Sequence, residues 1–326
     1  MKICVFGAGA IGGHVAARLA KGGADVSIIA RGAQLEAIQA RGLKVIAADG
    51  EMIVHPRAAA TAAELGPQDA VLVTTKQTAL PSVAAAIGPL LGPDTAVAFI
   101  MNGVPWWFFD HEGSTREGTR LPLVDPGDVI RDAVGTERTI GGVVWSACTV
   151  IEPGVVQVAS QGDRIIFGEL DNRISERAKA LAEALKAGGM GSRASADIRS
   201  ELWTKLIGNL ANGPLCTVAH QDIKTTMSDP VLYEAAIRCT EEGIAIGRAL
   251  GLTIEMDARE RTARSSAIAH RPSILQDLEA GRPMEVAALF EQPILLAREL
   301  GVPAPTLEIS IALLKHAARA AGLYNQ

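Results

Sequence analysis

The feature that most constrains this chain lies at its start. Ile3-Cys4-Val5-Phe6 is a short apolar run, and Gly7-Ala8-Gly9-Ala10-Ile11-Gly12 follows it directly. A continuous apolar run suits a strand buried on both faces. The residues from Ile11 to Lys21 read as a helix. A G-x-G-x-x-G loop placed between strand and helix has a definite physical reading. Gly7 permits the tight turn, Gly9 lets backbone approach a pyrophosphate, and Gly12 lets the helix pack close to the strand. Unpaired amides and the dipole at the helix N-terminus then favour an anion. Gly7, Ala8, Gly9, Ala10, Ile11 and Gly12 are the candidate phosphate cradle, with an ordinary glycine turn as the competing reading.

The pattern that follows repeats the theme. Apolar runs at Asp25–Ala30, Ala70–Thr75 and Ala96–Met101 alternate with helical segments such as Ala33–Arg41. Such alternation predicts a parallel sheet with helices on both faces. From Gly141 to Glu169 the runs are joined by Pro-Gly and Gly-Asp turns, which predicts an antiparallel extension of the sheet. An amphipathic helix at 175–187 and a last short strand near Met190 close this part. From Asp197 onward no strand pattern occurs. Helices are expected from Asp197 through Leu210, then at 230–250, 256–269, 285–300 and 306–321. We expect an α/β Rossmann domain over residues 1–195 and an all-α domain over 196–326. No Pro/Ser-rich linker separates them, so a docked pair with a cleft is expected.

Composition narrows the function. The 326 residues are 48% hydrophobic and 21% charged, with a net charge of −5 and no long basic run. Binding a phosphate backbone needs clustered Lys and Arg, so a nucleic-acid partner is not expected. Nor is a membrane partner, since no apolar stretch reaches the roughly 18 residues of a span. Cys4, Cys148, Cys216 and Cys239 form no C-x-x-C pair, so neither a metal site nor a disulfide framework is expected and a reducing, cytoplasmic setting is. No signal peptide fits ahead of Ile3.

Several polar residues stand where ligands bind in folds of this kind. The second strand ends in Ile29-Ala30-Arg31, without the acidic residue that grips the ribose hydroxyls of NAD. A guanidinium there can pair with a 2′-phosphate, which points to NADP. A solvated surface charge is the alternative. Lys76 ends the "VLVTTK" run at the carboxyl edge of the sheet, either as a second cofactor contact or as a solvated lysine. Asn102-Gly103 stands at the same edge and reads equally as a turn. The aromatic run Trp106–Phe109 fits a pocket wall, a subunit contact or core packing.

Farther on, Lys205 and Asn209 lie four apart in "ELWTKLIGNLAN", on one face of an otherwise apolar helix. That face is either a wet stripe or the lining of a polar cavity, where a desolvated lysine can serve as a proton donor. The polar segment from His270 to Glu285 has adequate structural explanations, with Ser273 capping one helix and Glu285 opening the next.

Together these segments resemble the ketopantoate reductase (2-dehydropantoate 2-reductase) family. The likeness runs over nearly the whole chain, through "KICVFGAGAIGG", "VTTK", "MNGV", "ELWTKLIGN" and "PSILQDLEAGRPMEV". It implies NADPH-dependent reduction of a small 2-oxo acid. Lys205 would be the general acid and Glu285 would hydrogen-bond the nascent hydroxyl. Asn209 and Ser273 would hold the substrate carboxylate and polar groups, Asn212 would also bind substrate, and Asn102 would stand between nicotinamide and substrate. Asn102 and Glu285 would also touch the cofactor, and Arg31 and Lys76 would meet its adenosine end. Two positions depart from the family pattern. Gly213 replaces an asparagine before the helix proline, with Asn212 one residue earlier, and His270 replaces another. The segment from Pro105 to Val129 is also longer than in compact members. A same-fold enzyme for another oxo or hydroxy acid, and a non-catalytic NADP sensor, are the competing readings. The expected partners are a small oxo acid and a second copy of the chain, meeting through the helical domain.

Overall fold

The computed structural model describes residues 1–111 and 116–325. They form two compact units, one of Met1–Met101 with Trp106–Ile198, the other of Asn102–Pro105 with Arg199–Gln326.

The first unit contains, in order, β1 (Lys2–Phe6), α1 (Ala10–Lys21), β2 (Asp25–Ile29), α2 (Gly32–Arg41), β3 (Leu43–Ala47), β4 (Gly50–Val54), β5 (Arg57–Ala59), β6 (Gln68–Val73), α3 (Leu80–Ala86), β7 (Leu91–Ile100), α4 (Val129–Val134), β8 (Thr139–Trp145), β9 (Cys148–Glu152), β10 (Val155–Val158), β11 (Arg164–Glu169), α5 (Glu176–Ala187) and β12 (Gly191–Ala194). Among the described residues the main sheet has the order β12-β11-β8-β7-β6-β1-β2-β5. All neighbours pair parallel except β8 with β11. Its central strands carry fully buried Ile3, Val5, Leu72, Val97 and Ala98, as a sheet covered on both faces requires.

The Pro-Gly hairpin expected to extend this sheet does something else. Only β11 pairs antiparallel with β8, and β12 lies beyond it at the edge. β9 and β10 pair with each other and then with β3, building a separate sheet of order β4-β3-β10-β9. A buried arginine ties that sheet to α1. Arg18 is 3% exposed and bonds through two guanidinium nitrogens to Asp49, at 2.6 and 2.7 Å. Its Nε also donates to His14 Nε2 at 3.1 Å. The carboxylate offsets a charge that would be costly to bury alone. Trp106, Trp107, Phe108 and Phe109 are all buried in this unit, so core packing is what the aromatic run does.

The second unit is helical, with α6 (Ile198–Ala219) running into it from the first, followed by α7 (Ile223–Thr226), α8 (Pro230–Ala249), α9 (Ala258–Ser266), α10 (Ser273–Glu279), α11 (Gln292–Glu299) and α12 (Pro305–Ala320). Helix starts follow local chemistry. Asp229 accepts from the backbone N–H groups of Val231 and Leu232 and is followed by Pro230, while Asp257 accepts from that of Glu260. Ahead of α11 the chain makes a π-helical turn over Ala287–Glu291. α6 buries Leu202, Trp203, Leu206, Ile207 and Leu210. Trp203 Nε1 donates to the Gly243 carbonyl of α8 at 2.9 Å, satisfying the one polar atom of that ring. No helix among the described residues is long and apolar enough to cross a membrane.

Candidate active site

Candidate groups gather at one place in each unit. In the first, Gly7 turns the chain with φ of +111°, a conformation that side chains disfavour. Its N–H donates to the Ile29 carbonyl at 3.2 Å, and Thr74 Oγ1 donates to the Gly7 carbonyl at 2.9 Å. The loop is thereby pinned between the ends of β2 and β6. A Cβ on Gly12 would stand 1.9 Å from the Gly7 carbonyl oxygen, so only glycine lets α1 start this close to the loop. A Cβ on Gly9 would meet nothing within 4 Å. Space thus lies open beside the first turn of α1, whose amides lack intrahelical partners.

A cavity of about 290 Å³ adjoins the loop, with Gly7, Ala8, Ala30, Arg31, Thr75 and Ser82 in its lining. Arg31, the residue before α2, is exposed, and no acid ends β2. Thr75 Oγ1 is buried with no hydrogen-bond partner among the described residues. An open glycine cradle, an orphaned hydroxyl and a guanidinium on one cavity fit a phosphorylated dinucleotide. Lys76 is half-buried at the start of the 3₁₀ turn Gln77–Ala79 and is absent from the described lining of that cavity.

In the helical unit, three residues far apart in sequence converge. Lys205 Nζ donates to Asn102 Oδ1 at 2.5 Å. Asn102 is held there by its successor residues. Gly103 has φ of +83°, and a Cβ on it would lie 2.6 Å from the Ala288 carbonyl carbon. Val104 N–H donates to the Ala288 carbonyl oxygen at 2.9 Å. Asn102 is therefore docked against the backbone of the π-helical turn. Glu285, just ahead of that turn, is 8% exposed. Burial pushes the Lys205 ammonium down to about 8, and the Glu285 carboxylate opposes that shift. A lysine so tuned gives up its proton more readily than one in water.

The other candidates sit around this group. Asn209 is half-buried one turn beyond Lys205. Asn212, seven residues beyond Lys205 and so on the same face, is buried with its Oδ1 unpartnered. Ser273 is exposed and is the first residue of α10 rather than its cap, since Pro272 precedes it in that role. Gly213 packs against an aromatic ring: a Cβ there would lie 2.9 Å from Phe290. His270 is half-buried, and burial pushes its imidazole pKa down. Thr75, on the lining of the cavity beside the glycine loop, was passed over in the sequence although it stands in the quoted "VTTK" segment.

The model of the ketopantoate reductase PanE/ApbA family matches residues 3–172, and its C-terminal counterpart matches 197–318. The chain belongs to this family. A 2-dehydropantoate 2-reductase of Mesorhizobium japonicum is 43% identical over the full length of both chains. The crystal structure of 2-dehydropantoate 2-reductase from Geobacter metallireducens has a TM-score of 0.85 at 29% identity, over 97% of this chain and all of that one. D-mandelate dehydrogenase in ternary complex with NADH and anilino(oxo)acetate shares the fold, with a TM-score of 0.83 at 20% identity over 99% of this chain and all of that one.

Proposed function

We propose that this ketopantoate reductase family member is an NADP-dependent oxidoreductase that reduces a small 2-oxo acid, 2-dehydropantoate, to its 2-hydroxy acid, pantoate. The observation that carries the reading is the Lys205 ammonium, desolvated beside Glu285 and bonded to Asn102 at 2.5 Å. NADPH supplies the hydride when bound.

The residues of this chain do the rest. Lys205 delivers a proton to the substrate carbonyl oxygen as charge develops there, and solvent restores that proton after product leaves. Asn102 fixes the direction of the lysine side chain. Glu285 keeps Lys205 protonated at neutral pH by opposing desolvation, and its carboxylate can accept from the new hydroxyl. The glycine loop and the first turn of α1 hold the pyrophosphate. Arg31 pairs with the 2′-phosphate, and Thr75 donates to the nucleotide through its free hydroxyl. Lys76 is a further cofactor contact, and Asn209, Asn212 and Ser273 bind the substrate. In this reading residues 1–195 bind the cofactor and residues 196–326, joined by Asn102, carry the substrate chemistry.

The test is a steady-state panel of 2-oxo and 3-oxo acids with NADPH and NADH. This reading expects the highest kcat/KM for 2-dehydropantoate with NADPH. One observation favours a second reading with a different oxo acid: the Phe290 ring fills the space where Gly213 would otherwise carry a side chain. Preference for another member of the panel would decide for it. The free thiols of all four cysteines fit a cytoplasmic setting. Self-association through the helical unit is supported by exposed Ile309 and Leu313, one turn apart on α12, and light scattering reads it.

A further inference from the structure

The last residues of the chain return to the segment that carries Glu285. Gly322 follows α12 with φ of +69°. Its N–H donates to the Arg319 carbonyl and that of Leu323 to the Ala318 carbonyl, both at 2.9 Å. This Schellman turn stops the helix and redirects the chain. Terminal residues fray unless something ties them down. Here the Leu323 carbonyl accepts from the Met284 N–H at 3.1 Å, and the Tyr324 hydroxyl donates to Glu291 Oε2. The Tyr324 side chain is buried. Glu291 Oε1 also accepts from Lys315 Nζ of α12.

The stretch between these two bonds has two outputs. Glu285 follows Met284 directly, and its charge acts on the Lys205 ammonium. Ala288, on the π-helical turn, is the dock for the loop that presents Asn102. That dock is open for a local reason. The Gln292 N–H donates five residues back to the Ala287 carbonyl, and Pro293 has no N–H to give. The Ala288 carbonyl is left for the Val104 N–H, at 2.9 Å. The C-terminal tail thus grips both ends of the stretch that supplies Glu285 and seats Asn102.

We propose that Tyr324 is a positioning residue for the reduction. Its hydroxyl acts through Glu291, and the adjoining Leu323 carbonyl acts through Met284, to hold Glu285 and the Asn102 dock in register with Lys205. This rests on the reductase reading of the site given above.

The experiment follows NADPH consumption against pH in Tyr324→Phe, Glu291→Leu and Glu242→Ala. NADPH affinity is read separately by fluorescence titration, and folding by the melting temperature. Tyr324→Phe keeps the ring and removes only the hydroxyl. A hydrogen bond to a charged group corresponds to a factor of about ten or more. Tyr324→Phe should lower kcat about tenfold and hold KM and NADPH affinity. A displaced Glu285 favours the charged lysine less, so the falling limb of kcat/KM should move to lower pH. Glu291→Leu should do the same, and the double variant should add nothing. In a Glu285→Gln background, Tyr324→Phe should leave the limb where Glu285→Gln alone puts it. Glu242→Ala is the control. Glu242 accepts from the Thr306 and Leu307 N–H groups at 3.0 and 2.8 Å, at the start of α12 and away from the tail. Its loss should lower the melting temperature and leave kcat and the limb unchanged. A limb that Tyr324→Phe leaves in place, or that Glu242→Ala moves equally, would overturn the proposal in favour of a general staple. A loss confined to KM or to NADPH affinity would overturn it in favour of a binding role. If Glu285→Gln moves the limb while Tyr324→Phe does not, only the role of the tail fails. If Glu285→Gln leaves the limb in place and Lys205→Ala is fully active, the reading of the site itself fails.

Discussion

Raising the pH should switch this enzyme off in the reducing direction through one group. The Lys205 ammonium is brought down to about 8 by burial, with Glu285 opposing. Reduction uses the protonated form, so kcat/KM should be level below that value and fall above it. The arithmetic is that of a single acid. About nine-tenths of the lysine is charged at pH 7 and about one-tenth at pH 9, a roughly tenfold fall. An ordinary lysine would hold its proton throughout that range. The sign reverses for oxidation of the hydroxy acid, which needs the free amine and should quicken as pH rises through the same value. Glu285→Gln sharpens the test. Losing the carboxylate removes the interaction that favours the charged form, so the falling limb should move to lower pH. The assay is the initial rate of NADPH consumption at subsaturating oxo acid across the pH range, in both variants. A profile level to pH 10, or a limb that Glu285→Gln leaves in place or moves upward, would refute the assignment of proton donor and its tuning.

Two further outcomes follow from the same geometry. Arg31→Ala should lower the NADPH-over-NADH preference in kcat/KM by about 10- to 100-fold, the weight of a charge-assisted contact to phosphate, with NADH turnover held; a preference unchanged in steady-state rates would remove Arg31 from the cofactor site. Gly103→Ala should reduce kcat by about tenfold or more while the Kd for NADPH holds, because a Cβ at φ of +83° and 2.6 Å from Ala288 must shift the backbone that presents Asn102 to Lys205; full activity in the purified variant would show that Asn102 does not position the lysine.

Much of this was legible before any coordinates. The first β–loop–α unit could be read because a double-faced strand must be continuously apolar and because three glycines at that spacing have separate steric reasons. Lys205 and Asn209, four apart on an apolar helix, raised the question, but that spacing alone left a wet stripe and a polar cavity equally open. The second sheet was harder. β3 and β4 are short and largely half-exposed, and β10 joins them from far along the chain. Their Asp49-Gly50 junction was the local sign of a hairpin. β5, three residues long, is too short to show a period. Asn102 stood at the ligand-binding edge but read equally as a turn, since nothing local indicates that its neighbours dock on Ala288.

The central claim is that an enclosed ammonium on α6 completes the reduction. Its most direct measurement is the single-turnover rate of Lys205→Ala with saturating oxo acid and NADPH, alongside NADPH affinity in the same preparation. The account predicts a rate lowered by about 10²- to 10⁴-fold with cofactor affinity intact. A variant that binds NADPH normally and turns over at the wild-type rate would contradict it.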